Sequence, residues 1–146
     1  MAAVLVPEVQ QLMTRYLQEI QLNPETVFNK NNNAWYWTRG SASIEVYVES
    51  IEIGSGRMRY YLRVFSKLVK VPPNAGTAFY RRLLEINDKS LGVKLSLLPA
   101  TDTIFATFER DIKGMDYDEM ADTIADLEWW ADNLDDKIMQ EFGATK

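Results

Sequence analysis

One feature constrains the fold more than any other: two long segments, 44–53 and 57–71, flank the short sequence Gly54-Ser55-Gly56. Apolar and polar side chains alternate in the first segment, which is typical of a strand with one buried face. A three-residue loop that contains glycine predicts a hairpin, with Ile53 opposite Arg57. This register matches residues of compatible chemistry on both faces, which supports it. The matched pairs are Val48 with Leu62, Val46 with Val64, Tyr47 with Arg63, and Glu45 with Phe65.

Three segments have the periodicity of amphipathic helices. They span Pro7–Leu22, Ala75–Asp88 and Asp116–Phe142. The last is the clearest, because its apolar residues recur every three or four positions. Those residues are Met120, Ile124, Leu127, Ala131, Leu134 and Ile138. Asp116 and Glu119 resemble a capping box at its start, and Gly143 is a typical stop.

The remaining segments complete the predicted order of elements. A short aromatic strand spans 35–38, a loop spans 23–33, and a second hairpin pairs 93–97 with 104–108 across a turn at 99–102. The alternation in the first hairpin changes phase at Ile51, which predicts a bulge near Ser50. The order is α-βββ-α-ββ-α, so we expect an α+β fold with an antiparallel sheet packed against helices. A length of 146 residues fits a single domain, 1–146.

The sequence contains neither cysteine nor histidine. Disulfides, zinc fingers, thiol nucleophiles and histidine-based triads are therefore excluded. Gly54-Ser55-Gly56 lacks the Lys-Ser/Thr of a phosphate loop, and Asp116-Tyr117-Asp118 lacks the later ligands and glycine of a calcium loop. Paired carboxylates such as Asp135-Asp136 and Asp116/Asp118 are expected on a solvated helix face. The sequence accordingly predicts no catalytic residue, no cofactor and no metal.

No segment is long and apolar enough to be a membrane span, and the short apolar start lacks the basic region of a signal peptide. We therefore expect a cytoplasmic protein. The net charge of −5 is unevenly divided, since residues 116–146 carry ten acidic and two basic residues. The acidity belongs to the C-terminal segment, and this makes binding to a nucleic-acid duplex an unfavoured hypothesis.

One predicted strand carries a concentration of cations next to aromatic residues. The cations are Arg57, Arg59, Arg63, Lys67 and Lys70, and Tyr61 and Phe65 lie between them. Three interpretations remain open at this point. The strand could bind single-stranded nucleic acid by stacking bases on the aromatic rings. Its cations could instead pair with Glu45 and Glu49 across the sheet, or the face could bind a protein.

The phase of the last helix places Trp129 directly opposite its apolar stripe. Its neighbours on that face are Asp122, Asp126, Asp132, Asn133 and Asp136. An exposed tryptophan among carboxylates is unusual for a lone monomer. It is typical of an anchor for another chain, because tryptophan is enriched at binding hot spots. The alternatives are a surface tryptophan without a binding role and a tryptophan that a loop of the same domain covers.

Several segments, in this order and spacing, resemble the YbjN family. They are Trp37–Ala42, Val69–Pro72, Phe79–Asn87, Glu109-Arg110, Gly114–Glu119, Ala131-Asp132, Asp135-Asp136 and Phe142-Gly143. The resemblance covers roughly residues 30–143. It implies the fold of the type III secretion chaperones, and a role in binding protein. Members of the family are described as sensory-transduction regulators or chaperone-like proteins. No catalytic residue is implied.

Residues and resemblance together favour a non-enzymatic, chaperone-like or regulatory protein that binds another polypeptide and forms a homodimer. The predicted contact residues are Trp129, Tyr61, Phe65 and Phe105. The helix 75–88, or the aromatic outer face of the sheet, is expected to form the dimer contact. The alternative hypothesis is a single-stranded nucleic-acid binder that uses the strand 57–70.

Overall fold

The computed structural model describes residues 3–146, which form four helices and a seven-stranded antiparallel sheet. The helices are α1 (Pro7–Glu19), α2 (Pro24–Val27), α3 (Thr77–Lys89) and α4 (Tyr117–Phe142). The strands are β1 (Ala3–Val4), β2 (Phe28–Asn29), β3 (Ala34–Arg39), β4 (Ala42–Ile53), β5 (Arg57–Lys70), β6 (Lys94–Leu97) and β7 (Thr103–Asp111). The strand order is β2-β3-β4-β5-β7-β6, and β1 pairs with β4.

The predicted α+β architecture is confirmed. The three long helices and five longer strands follow the predicted α-βββ-α-ββ-α order, and both hairpins have the predicted register. Three short elements add to that order, namely β1, α2 and β2. The last two lie where the sequence predicted only a loop. There the side chain of Asn23 accepts a hydrogen bond from the Glu25 backbone and caps α2, and Phe28 pairs with Trp35.

The predicted bulge near Ser50 is wrong. β4 pairs with β5 without interruption from Ile44 to Ile53, so Ile51 and Ile53 lie on the same face as Tyr47. Both isoleucines are exposed, and so is Met58 on the opposite face, because the end of this hairpin extends beyond the packed core. The register shift lies elsewhere, in β5 opposite β7 between Lys67 and Val69.

The core lies between the helices and one face of the sheet. Alternate residues of β4 and β5, among them Val46 and Val64, are fully buried there. The predicted stripe of α4 packs against them, and each of its six residues is buried. The capping box at Asp116 and the left-handed Gly143 end this helix as predicted. In the described part of the chain, no helix has the length and hydrophobicity needed to cross a membrane.

One carboxylate of α4 lies in the interior, contrary to the prediction of a solvated face. Asp135 is only 1% exposed. Its carboxylate accepts hydrogen bonds from Ser41 Oγ at 3.0 Å and pairs with Lys146 Nζ at 2.7 Å. The chain after Gly143 folds back over α4, and the Thr145 carbonyl accepts a hydrogen bond from the Lys70 amide. This returning segment covers Asp135, whereas Asp136, Asp116 and Asp118 are exposed.

A second buried carboxylate joins α1, β3 and α4. Glu128 accepts hydrogen bonds from Trp37 Nε1 at 3.1 Å and from the Tyr16 hydroxyl at 3.4 Å. Arg39 Nε lies 3.4 Å from its other oxygen. Burial raises the pKa of Glu128 above its ordinary value, and the partners oppose that effect only in part. The three elements are thus held together by a carboxylate that is costly to ionise.

We predict that Glu128→Gln weakens the pH dependence of folding. Because the folded-state pKa of Glu128 is raised, its contribution to stability is fully present below the unfolded-state pKa and is lost as pH rises through the folded-state pKa. Urea denaturation between about pH 4 and pH 8 should show the wild type losing stability relative to the glutamine variant. Parallel curves for the two proteins would contradict this prediction.

Glu128→Leu is the informative companion variant. It removes the acceptor of two buried donors, and it should lower the free energy of unfolding by about 1–3 kcal/mol. Glutamine keeps an acceptor oxygen in place, so its effect near neutral pH should be smaller than that of leucine.

Candidate functional site

The face of the sheet turned away from the core carries most of the residues that the sequence singled out. Because side chains alternate along a strand, the register places Tyr61, Phe65 and Phe105 on this outer face together with Tyr47 and Arg63. All five side chains are partly exposed. Three of the four predicted contact residues therefore share one surface.

Aromatic rings form a continuous group across β4, β5 and β7. Tyr47 stacks on Phe65 with ring centroids 5.6 Å apart, and Phe105 meets Phe65 edge-on at 6.1 Å. These three side chains line a groove together with Leu97 and Pro99. Offset and edge-on contacts of this kind hold rings in fixed orientations, so the group offers a preformed apolar surface.

Arg63 lies at the centre of the charged part of this face. Its guanidinium pairs with Glu49 at 2.7 Å and with Glu109 at 2.8 Å, and it lies 4.6 Å from the centre of the Phe65 ring. Burial opposes the ionisation of Glu109, but bonds from Lys94 and Arg63 outweigh it and hold the pKa of Glu109 below its ordinary value. Arg63 is therefore a structural cation held between two carboxylates, and the lowered pKa of Glu109 keeps that carboxylate ionised near neutral pH.

The other cations of β5 divide into two groups. Arg59 pairs with Asp111, and its guanidinium lies 5.2 Å from the ring of Tyr61. Within residues 3–146, no carboxylate forms an ion pair with Arg57, Lys67 or Lys70. The ion pairs of Arg59 and Arg63 agree with the second interpretation of the sequence, in which cations pair with carboxylates across the sheet. Two of these carboxylates, Glu109 and Asp111, belong to β7.

The fourth predicted contact residue, Trp129, lies apart from the other three. It is 59% exposed on the side of α4 that faces away from the sheet, as the helical phase predicts. Its ring meets that of Trp130 edge-on at 5.0 Å. Trp129 and the aromatic group consequently belong to two separate surfaces.

A third group of exposed apolar residues overlaps the helix 75–88, which is one of the two expected dimer contacts, although the sequence did not single out these residues. Leu84 and Leu91 are 69% and 83% exposed, and Tyr80 and Leu97 are also exposed. These residues lie on α3, just after it, and at the end of β6. The spacing of Tyr80 and Leu84 was the available signal, because residues four apart share a helix face.

Over residues 3–146, no three Asp or Glu side chains are grouped closely enough to hold a metal ion.

Searches of family models and of curated proteins by sequence find no match. Solved structures do match, although their sequences differ widely from this one. The complex of ExsC with ExsE matches with a TM-score of 0.66 and 12% identity, covering 94% of this chain and 97% of that chain. The HopA1–SchA chaperone–effector complex matches with a TM-score of 0.60 and 9% identity, covering 90% of this chain and 99% of that chain.

YbjN from E. coli also matches, with a TM-score of 0.54 and 12% identity, over 98% of both chains. The predicted resemblance is thus confirmed at the level of fold. The chain has the α+β fold that type III secretion chaperones share with YbjN, an open antiparallel sheet packed against helices.

Proposed function

We propose that this protein is a non-enzymatic, chaperone-like or regulatory protein of the cytoplasm that binds another polypeptide. The observation that carries the proposal is the aromatic group on the outer face of the sheet. Tyr47, Phe65 and Phe105 are partly exposed there, on the face opposite the packed core, and Tyr61 lies on the same face. The structural matches agree with this role, since HopA1–SchA is a chaperone–effector complex and ExsC is found with ExsE.

The chemistry of this face suits a polypeptide. Interfaces between proteins are enriched in aromatic residues and arginine, and a few large side chains carry most of the binding energy. The ion pairs around Arg63 are formed before any partner arrives. A bound segment would therefore gain apolar contact with the rings and would not need to supply a compensating charge at Arg63.

Single-stranded nucleic acid is the less favoured alternative. A phosphate backbone gains affinity from cations that are free to replace its counterions. Arg59 and Arg63 already pair with Asp111, Glu49 and Glu109 on this face. Phosphates would have to displace these carboxylates or approach them closely, and both cost free energy.

We also propose that the protein forms a homodimer through α3 and β6. Tyr80, Leu84, Leu91 and Leu97 are exposed on or next to these two elements, which pack beside each other, and several large exposed apolar side chains in one region indicate an interface. β6 is the last strand of the sheet, but its edge is partly closed. Asn87 Oδ1 accepts a hydrogen bond from the Leu95 amide at 2.6 Å, and Asn87 Nδ2 donates to the Leu95 carbonyl at 3.3 Å. We therefore expect the dimer to form by side-chain packing and not by extension of the sheet.

The dimer is tested by Leu84→Lys combined with Leu91→Lys. Two charges in the centre of an apolar contact should weaken dimerisation by about 30-fold or more. The measurement is light scattering on size-exclusion chromatography across a dilution series. Leu5→Lys with Ile53→Lys is the matched control, because both residues are exposed leucine or isoleucine outside this region. A wild type that is monomeric at every concentration would contradict the proposal.

Polypeptide binding is tested by affinity capture from native lysate, with bound proteins identified by mass spectrometry. Phe65→Thr combined with Phe105→Thr removes two rings and puts β-branched threonine, which favours strands, in their place. We expect a discrete set of bound proteins with the wild type and loss of most of it with the variant. Circular dichroism establishes that the variant is folded. An identical set of bound proteins from both would contradict the role of the aromatic group.

A further inference from the structure

The exposed side of α4 has a chemistry that the outer face of the sheet lacks. Trp129 projects from this side, and Trp130 next to it is partly buried and packs against the core. The edge-on contact between the two rings restricts the orientation of the exposed indole. α4 therefore presents a large apolar side chain that is held in place although most of its surface is in water.

Carboxylates surround this indole along the helix. Asp122 lies seven residues before Trp129, Asp126 lies three residues before it, and Asp136 lies seven residues after it. At these spacings all three share the helix face of Trp129. All three are exposed. Asp122 and Asp126 are also four residues apart, a spacing at which like charges destabilise a helix. We call these three carboxylates and the indole the Trp129 face.

Elsewhere on α4, four carboxylates have cationic partners, whereas Asp118 in the first turn forms no ion pair within residues 3–146. The pairs are Glu119 with Arg110, Glu128 with Arg39, Asp135 with Lys146, and Glu141 with Arg82. Asp132 instead accepts hydrogen bonds from the backbone and hydroxyl of Ser41. By contrast, no lysine or arginine among residues 3–146 forms an ion pair with the carboxylates of the Trp129 face. Negative charge is compensated where α4 meets the rest of the protein and uncompensated around the exposed indole.

We propose that the Trp129 face binds a lysine- or arginine-rich segment of the partner polypeptide. A cation placed over the indole gains from the negative face of the ring, and the neighbouring aspartates pair with the cations beside it. The aliphatic stems of lysine and arginine would cover the apolar surface of Trp129 at the same time. This inference rests on the proposed function, and it names the charge of one part of the partner.

A second copy of this chain fits the surface poorly. In a symmetric dimer each patch meets its own copy, so the aspartates of one Trp129 face would oppose those of the other. Unlike-charge contact is what favours association and steers encounter. A basic segment satisfies the three aspartates and the indole together.

The test uses a defined probe, a fluorescently labelled peptide of alternating Lys-Leu-Lys-Lys repeats. A matched peptide with glutamate in place of every lysine is its control. Binding is followed by fluorescence anisotropy at about 50 mM and about 300 mM salt, since screening should weaken an exposed ionic contact. We expect the lysine peptide to bind the wild type and the glutamate peptide not to bind.

Two variants locate the contact. The first variant is Trp129→Ala, and the second combines Asp122→Asn, Asp126→Asn and Asp136→Asn. Each should raise the dissociation constant of the lysine peptide by about tenfold or more. The matched control is Glu52→Gln with Asp88→Asn and Asp102→Asn, which removes the same charge from exposed positions elsewhere. It should bind like the wild type. Trp129→Phe keeps a ring on the folded helix and should retain more affinity than Trp129→Ala.

Two results would overturn the inference. One is equal weakening by the control triple variant, which would mean that the peptide responds only to net charge. The other is a wild type that does not bind the lysine peptide even at low salt. Neither result touches the proposed function, which fails separately if lysate capture does not depend on Phe65 and Phe105.

Discussion

The uninterrupted pairing of β4 with β5 is the constraint on which the rest of the structure depends. It fixes the face of each side chain over ten consecutive residue pairs. A slip of one residue would put Val46 and Val64 on opposite faces of the sheet and bring either Tyr47 or Arg63 into the core. The same register that buries the apolar residues beneath α4 therefore creates the aromatic and charged outer face. Core and candidate site are two consequences of one set of hydrogen bonds.

This central hairpin was predictable because its information is local. Opposing residues are close in sequence, and the three-residue loop determines their partners. The face of Tyr61 and Phe65 follows from that register and the strand periodicity, and the face of Phe105 follows from the second hairpin. The error at Ser50 has a related cause. Ile51 and Ile53 were expected on the core face because they are apolar, but the hairpin extends beyond the core and leaves them exposed. Alternation marks the faces of a strand only where a core lies beneath it.

What the sequence could not predict depends on contacts between distant segments. Asp135 is buried by the residues after Gly143, which fold back over the helix. The helical pattern of α4 does not predict the path of the chain after the helix ends. The outer-face partners Glu109 and Asp111 come from β7, about fifty residues from Arg59 and Arg63. The four-residue helix α2 is too short for any periodicity. Leu84 lies outside the buried stripe of α3. Its exposure depends on which elements pack against that side of the helix, and the sequence of α3 alone does not show this.

Charge is distributed so that the two candidate surfaces differ in kind. On the sheet, Arg63 and Arg59 neutralise carboxylates of β4 and β7, and the surface available to a partner is mainly aromatic. On α4, carboxylates that meet the protein body are compensated, and those around Trp129 are left to solvent. Aromatic contact depends little on salt, whereas exposed ionic contact is screened. A polypeptide that used both surfaces would therefore lose its contact with α4 as salt rises and keep its contact with the sheet.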